Sequence, residues 1–198
     1  EVEAPRIPDT ATQQAQTDGW AWQPRVSVLL PTWNTPPALL RACLDSVLAQ
    51  GYPHWELCVA DDASTQPAVR EILTAYAARE PRIRIAWRAV NGHIAEASNS
   101  ALALASGEFV ALLDHDDCLA PHALWQIVEA LQGRPQAQLL YSDEDKIDAA
   151  GQRRDPHLKP DWMPDLLRAQ NYLSHLGVYR RALVEAAGGF RPRHEGSH

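Results

Sequence analysis

The sequence predicts an α/β fold, with a mostly parallel sheet and helices on both faces. Two observations carry this. Five short strand-like runs alternate with four stretches whose apolar residues recur at helical spacing, over residues 26–141. Glycine or proline stands at most of the junctions, where each element has to stop. A strand–helix–strand alternation returns each strand to the same sheet by a crossover, which makes the strands parallel.

The elements follow in order. Val26–Leu30 is a β-branched, buried strand ended by Pro31. Leu39, Leu40, Cys43, Leu44, Val47 and Leu48 share a helical face, and Gly51 stops that helix. Trp55–Ala60 is the second strand, and Val69, Ile72, Leu73 and Tyr76 mark a helix after Pro67. Ile83–Trp87 is the third strand; the helix through Ile94, Ala97, Ala101, Leu102 and Ala105 is closed by Gly107. Phe109–Leu113 is the fourth strand, and Ala123, Leu124, Ile127, Val128 and Leu131 mark a helix closed by Gly133. Leu139–Tyr141 is the fifth strand. Beyond it, residues 143–160 are polar and predict a hairpin turning near Ala150-Gly151. Leu166–Gln170 predicts a helical turn, Leu176–Arg180 a further strand, and Ala182–Ala187 a short helix ended by Gly188-Gly189.

Residues 1–24 are polar and carry Pro5, Pro8 and Pro24, which predicts an N-terminal arm or linker. Trp20 and Trp22 are expected to dock on the surface of the domain that residues 25–198 form. The missing initiator Met and the ending Glu195-Gly196-Ser197-His198 predict a piece of something longer.

Hydrophobic residues make up 45% of the chain, enough to bury one core. The net charge of -7 argues against a nucleic-acid partner, although a metal ion can reverse the sign locally. No run of 18 apolar residues exists, so no membrane span is expected, nor is a signal peptide evident. Cys43, Cys58 and Cys118 are odd in number and lie within or beside apolar runs. They predict buried free thiols and a reducing, cytoplasmic location. Any attachment to the inner face of a membrane would fall to other parts of a parent protein.

In parallel sheets ligands bind beyond the carboxyl ends of the strands. That rule selects Pro31–Pro36, Asp61–Thr65, Trp87–His93 and Asp114–Asp117. Asp114 and Asp116 leave the fourth strand two residues apart and can converge on Mn²⁺ or Mg²⁺, which prefer oxygen ligands and bridge phosphates. A solvated acidic turn is the alternative, and the strand-end position favours the ion. Asp61 can accept the ring N–H of uracil or thymine, a donor that cytosine lacks; capping of the next helix is the alternative. Trp33 can stack on a base or pack under its loop, and the two readings stand level. Asn91-Gly92-His93 opens the third helix, where backbone N–H groups suit an anion, or it is an ordinary junction.

Assembled, these residues resemble the family 2 glycosyltransferases of GT-A fold, whose sheet is Rossmann-like. The matching pieces are Val26-Ser27-Val28-Leu29-Leu30-Pro31-Thr32-Trp33-Asn34, Val59-Ala60-Asp61-Asp62-Ala63-Ser64, Asn91-Gly92-His93-Ile94-Ala95 with Asn99, and Leu112-Leu113-Asp114-His115-Asp116-Asp117. The second half is similar to bacterial O-antigen and rhamnan-type members. There the pieces are Tyr141-Ser142-Asp143-Glu144-Asp145-Lys146, Lys159-Pro160-Asp161-Trp162, Asn171-Tyr172-Leu173-Ser174-His175-Leu176, and Gly188-Gly189-Phe190-Arg191 through His198.

The resemblance implies an inverting transfer of a sugar from a UDP- or dTDP-sugar to a glycan or lipid-linked glycan acceptor, in cell-surface polysaccharide synthesis. It divides the domain into a nucleotide-sugar-binding part, 25–142, and an incomplete acceptor-side part, 143–198. It gives Asp61 and Trp33 the base, with Pro31 and Asn34 beside them. Asn91 and Asn99 line the donor pocket. Asp114 lies near ribose or metal, and Asp116 is the direct metal ligand. Asp62 and Asp117 support their neighbours. The family's general base follows the Glu-Gly-Ser stretch, hence beyond His198, so the domain is expected to be truncated at its C-terminus and to bind donor while transferring poorly or not at all.

Other residues are assigned lesser parts. Asp143, Glu144 and Asp145 line the acceptor side or a solvated hairpin, with the hairpin favoured. His157 and His175 are read as ordinary polar residues rather than as groups approaching the diphosphate or metal, and Arg153 and Arg154 as surface charge rather than as a grip on an anionic acceptor or donor phosphate. Two other functions fit the pattern less well. A nucleotidyltransferase usually has a glycine-rich, basic loop after the first strand, whereas Pro31–Pro37 holds neither Gly nor Lys. A non-catalytic nucleotide-sugar-binding module is the third reading.

Overall fold

The computed structural model describes residues 7–148 and 150–192. The elements are α1 (Thr10–Asp18), β1 (Val26–Thr32), α2 (Pro37–Leu48), β2 (Trp55–Asp61), α3 (Pro67–Arg79), β3 (Ile83–Trp87), α4 (His93–Leu102), β4 (Phe109–Leu112) and α5 (Ala123–Gly133). They continue as β5 (Leu139–Tyr141), the hairpin β6 (Glu144–Ile147) and β7 (Arg153–His157), α6 (Pro164–Ala169), β8 (Gly177–Arg180) and α7 (Arg181–Ala186). The main sheet runs β3-β2-β1-β4-β8-β5. Its first four strands are parallel, and β8 lies antiparallel between β4 and β5. Among the described residues no helix is long and apolar enough to cross a membrane.

Side chains alternate across each strand, so one sheet carries two cores. Val28, Leu30, Val59 and Phe109 pack with Leu44 of α2, Leu73 of α3 and Leu124 of α5. Leu29, Cys58, Ala60 and Val110 meet Ala97 and Ala101 of α4 on the opposite face. Alanine there lets α4 lie close to the sheet. β1 also continues past its expected end at Leu30, through Pro31 to Thr32. Leu29 O accepts from Leu113 N on the β4 side, and residues two apart face the same way. The missing N–H of Pro31 therefore falls beyond the last β1–β4 partners, Leu29 and Leu112, where no ladder bond is lost.

Thr10–Asp18 lies in the stretch predicted as an arm, and it is a helix instead. Asp9 caps it by accepting from Thr12 N at 2.8 Å. Its buried Gln13 and Thr17 donate to main-chain carbonyls of Pro8 and Gln13, each at 2.8 Å, so polar residues serve on a packed face. Trp20 stacks on Trp125 with centroids 6.0 Å apart, and Trp22 meets Phe109 edge-on at 6.1 Å. Cys43 and Cys58 are buried free thiols, but Cys118 is exposed, because it sits in the loop leaving β4 rather than in the run that precedes it. The predicted Glu195–His198 stretch and the expected base lie outside the described residues, as does Pro5.

At the end of the sheet opposite the strand-end loops, Glu56 ties three elements together. It accepts from Ser27 Oγ at 2.6 Å, Ser106 N at 2.6 Å, Gly107 N at 3.1 Å and Arg84 Nη2 at 2.6 Å. Gly107 is needed there, since a Cβ would sit 2.6 Å from both Arg25 O and Ser27 Oγ. Burial pushes the Glu56 carboxyl up, but the bonds from Ser27 and Ser106 and the Arg84 charge outweigh it and leave the pKa below its ordinary value. A depressed carboxylate lends stability that is full above the unfolded pKa and is lost as pH falls through the folded one. Glu56→Ala is expected to lower unfolding free energy at pH 7 by about 3 kcal/mol in urea titrations. In Glu56→Gln the part of the acid-side slope below about pH 4.5 that this carboxylate supplies should disappear.

Candidate functional site

The carboxyl ends of β1, β2, β3 and β4 meet at one rim. Beyond β1, Trp33 is 52% exposed and Asn34 stands at φ 48°. The Asn34 side chain is committed to the neighbouring loop: its Oδ1 accepts from Thr65 N at 2.8 Å and Gln66 N at 3.1 Å, while its own N–H donates to Ser64 Oγ at 2.9 Å. It thus ties the loop after β1 to the loop that leads into α3. Ala63 and His93, in the loops after β2 and β3, stand at φ 59° and 64°. Beyond β1, β2 and β3, three of the four strand ends at the rim, a non-glycine residue thus stands in the left-handed region, which costs of the order of 1 kcal/mol each and marks sites where surrounding bonds dictate the backbone.

Asp61 and Asp62 are both buried, yet they do different things. Asp62 accepts from Arg88 Nε at 2.7 Å and from Gly92 N at 3.0 Å, which fastens the β3–α4 loop. Asn91 Nδ2 donates to the Asp62 carbonyl at 3.2 Å, and Asn91 Oδ1 accepts from His93 N at 3.2 Å. One Asp61 oxygen accepts from Ser64 N at 3.2 Å, and the other, Oδ1, has no donor among the described residues. A buried acceptor without a donor costs about 1–3 kcal/mol, so it stands ready for an N–H from outside.

Beyond β4 the chain brings Asp114 and Asp117 to His175, which precedes β8. His175 Nε2 lies 3.5 Å from Asp114 Oδ2 and 3.7 Å from Asp117 Oδ2. One ligand atom from each residue falls within 4.8 Å of the others, a spacing that can hold a metal ion. Burial raises the Asp117 pKa above its ordinary value, against the pull of His175; the charges of Asp114, Asp116 and Glu144 add to the rise. Asp116 is exposed and outside that trio, with His115 Nδ1 3.8 Å from its carboxylate.

Two hollows adjoin the trio. The smaller, about 260 Å³, is lined by Leu29, Pro31, Ile94, Ala95, Asp114 and Phe190. The larger, about 860 Å³, runs under the β6–β7 hairpin against α5 and includes Asp117, Tyr141, Asp143, Glu144 and His175. Of the residues selected by sequence, Pro31 and Asp114 line the smaller hollow, whereas Trp33, Asn34, Asp61, Asn91, Asn99 and Asp116 line neither. Asn99 uses its amide on Phe190, donating to its carbonyl and accepting from its N–H, each at 2.8 Å, and so holds a wall of that hollow in place. Asp143 accepts from Lys159 N at 2.7 Å, and Arg153 and Arg154 pair with Asp145 and Asp148. His157 is bound to Glu144 at 3.0 Å. Sequence reasoning weighed His175 for the diphosphate or metal and set it aside, and gave Asp117 only a supporting part; the Asn171–Leu176 stretch stood out, but its place in the sheet did not.

A family model for Glycosyl transferase family 2 matches residues 27–185. The O-antigen biosynthesis protein RfbC of Myxococcus xanthus is 42% identical over 175 residues, which cover 88% of this chain and 14% of that protein. Among solved structures, Staphylococcus aureus TarS 1-349 in complex with UDP-GlcNAc superposes with a TM-score of 0.68 at 26% identity, over 85% of this chain and 48% of that one. The mannosyltransferase PcManGT of Pyrobaculum calidifontis, in complex with GDP-Man and Mn²⁺, gives 0.65 at 23% identity, over 92% and 55%. The described sheet order and the GT-A fold of these neighbours agree. This chain spans less than a fifth of RfbC and about half of each solved chain.

The raised Asp117 pKa has a sign that can be checked without a ligand. An acid whose folded pKa is raised contributes stability that is lost as pH rises from the unfolded value through the folded one. Asp117→Asn is therefore expected to raise the metal-free melting temperature at pH 7. Added Mn²⁺ should then stabilise the parent chain more than the variant. A variant that melts lower without metal contradicts the burial and like-charge cost on Asp117.

Proposed function

The chain belongs to glycosyl transferase family 2, and on that premise we propose that it binds a UDP- or dTDP-sugar with Mn²⁺ or Mg²⁺ and serves transfer of the sugar, with inversion, to a glycan or lipid-linked glycan in cell-surface polysaccharide synthesis. The observation that carries this reading is the Asp114–Asp117–His175 trio at the seam between two hollows. Two carboxylates and an imidazole suit a divalent ion, and a cation would favour the ionised Asp117 that burial, and then the neighbouring carboxylates, disfavour. Asp114 and Asp116 remain the proposed metal carboxylates of the strand-end turn, with Asp117 and His175 completing the donor set. Asp116 is near enough for its charge to act on Asp117. A bound ion would offset charge building on the departing diphosphate.

The protein groups divide the remaining work. Asp61 Oδ1 accepts the ring N–H of uracil or thymine, and half-exposed Trp33 offers a face for the base. Asn34, Asp62, Asn91 and Asn99 hold the loops that form the rim rather than presenting free groups. The smaller hollow, lined by Pro31 and Asp114, takes the sugar end of the donor, while the base lies outside it at Asp61 and Trp33, and the larger hollow takes the acceptor. With the two substrates on opposite sides of the trio, the acceptor oxygen attacks the anomeric carbon from the face away from the diphosphate. The new C–O bond forms as the bond to the phosphate oxygen breaks, and UDP or dTDP leaves with its electron pair. The acceptor proton passes to a base outside the described residues. TarS with bound UDP-GlcNAc supports the choice of a uracil nucleotide, since its likeness to this chain extends over 85% of it.

Calorimetry of UDP, dTDP, GDP and CDP, each with and without Mn²⁺, tests this. UDP or dTDP should bind, should need the cation, and should lose affinity roughly tenfold or more in Asp114→Ala and Asp116→Ala. Asp61→Ala should weaken UDP by about tenfold, the worth of one hydrogen bond to a charged group. CDP binding as tightly as UDP would remove Asp61 from the base site.

A further inference from the structure

His175 reaches the trio from a segment that is held in an unusual way. An imidazole facing a metal is ordinarily aimed by a hydrogen bond from its second ring nitrogen. His175 Nδ1 is buried and has no partner among the described residues. Its placement therefore depends on the main chain. That chain is gripped on both sides. Glu144 Oε2 accepts from His175 N at 3.2 Å, and Lys159 Nζ donates to the His175 carbonyl and, at 2.7 Å, to the Leu173 carbonyl. Lys159 Nζ also lies 3.4 Å from Glu144 Oε2, which closes the ring of contacts.

The Lys159 side chain is only 1% exposed. Burying an ammonium group is expensive unless all of its protons find acceptors, and here three acceptors surround it. Tyr172, Leu173 and Leu176 are buried in the core on either side, while Ser174 stands at φ 35°. The backbone thus bends around the ammonium group and turns His175 outward, toward the ends of β4. Neither Asp114 nor Asp117 touches Lys159 in any described bond, so the chain of contacts from Lys159 to the trio runs through His175.

We propose that Lys159, paired with Glu144, is a positioning residue that aims His175 into the acidic trio and thereby sets the affinity for a divalent cation. This rests on the metal reading above. The test is titration of the 198-residue chain with Mn²⁺ alone, followed by calorimetry, for Lys159→Met, His175→Ala and the double variant. Near-UV circular dichroism checks that each is folded. Lys159→Met should weaken Mn²⁺ binding roughly tenfold or more. His175→Ala should do the same, and the double variant should bind no more weakly than His175→Ala.

An equal further loss on adding Lys159→Met to His175→Ala would overturn the proposal, as would an unchanged affinity in Lys159→Met alone. Where Lys159→Met does not fold, Lys159→Gln replaces it in the same cycle, with the same two results for and against. Asp114→Ala separates the two levels. If it abolishes Mn²⁺ binding while the Lys159 cycle is additive, only the positioning role falls. If Asp114→Ala and His175→Ala both leave Mn²⁺ affinity intact, the metal site falls and the proposal falls with it.

Discussion

A strand that runs against its neighbours begins where they end. β8 enters antiparallel between β4 and β5, with Ala111 opposite Val178 and Tyr141 opposite Gly177. The residue just ahead of β8 is therefore carried to the carboxyl end of β4. This is what brings His175 beside Asp114 and Asp117, across some sixty residues of sequence. A parallel strand in the same slot would have put its own start at the far end of the sheet, next to Glu56. The trio, the two hollows and the Lys159 ring all depend on this one reversal.

The two ends of the sheet handle charge in opposite ways. At the Glu56 end, the carboxylate is matched by hydroxyls, amides and a guanidinium, and its negative form is the favoured one. At the rim, Asp62 is matched by Arg88 and the Gly92 amide. Burial first, with three acidic neighbours adding to it and one histidine opposing, disfavours the negative form of Asp117. The first two arrangements hold loops in place and are complete without any partner. The third lacks such a match among the described residues, and that contrast separates the loop-holding carboxylates from the cluster whose spacing can hold a metal ion.

Much of the fold was legible because strands and crossover helices write their burial into local periodicity. Leu40, Cys43, Leu44 and Val47 form a stripe that can be counted along the chain, and so do Val69, Ile72, Leu73 and Tyr76. Strand order is not local. Nothing in the sequence of Gly177–Arg180 says which strands flank it, so His175 stayed an ordinary histidine while Asp114, at the end of a clear strand, stood out. The same limit explains Lys159, whose value lies in contacts with residues 144, 173 and 175 rather than in any spacing. α1 was hidden for a different reason. Its packed face uses Gln13 and Thr17, which composition counts as solvent-facing. Asn34 and Asn91 stand in the loops after β1 and β3, and Asn99 two turns into α4, but sequence shows where a polar group sits and not which partner already occupies it.

The N-terminal helix bears on where the folding unit begins. Trp22 donates its ring N–H to Glu108 at 3.2 Å, and its carbonyl accepts from Gln132 at 3.0 Å, so the segment joins the start of β4 to α5. Gln13 packs so tightly beneath the α2–β2 turn that a Cβ on Gly51 would collide with its amide. Cutting a recombinant domain at Val26, where the first strand starts, would unroof Trp125 and Phe109. The left-hand boundary of an autonomous piece lies at or before Asp9, and indole fluorescence from Trp20 against Trp125 would report whether that lid is shut.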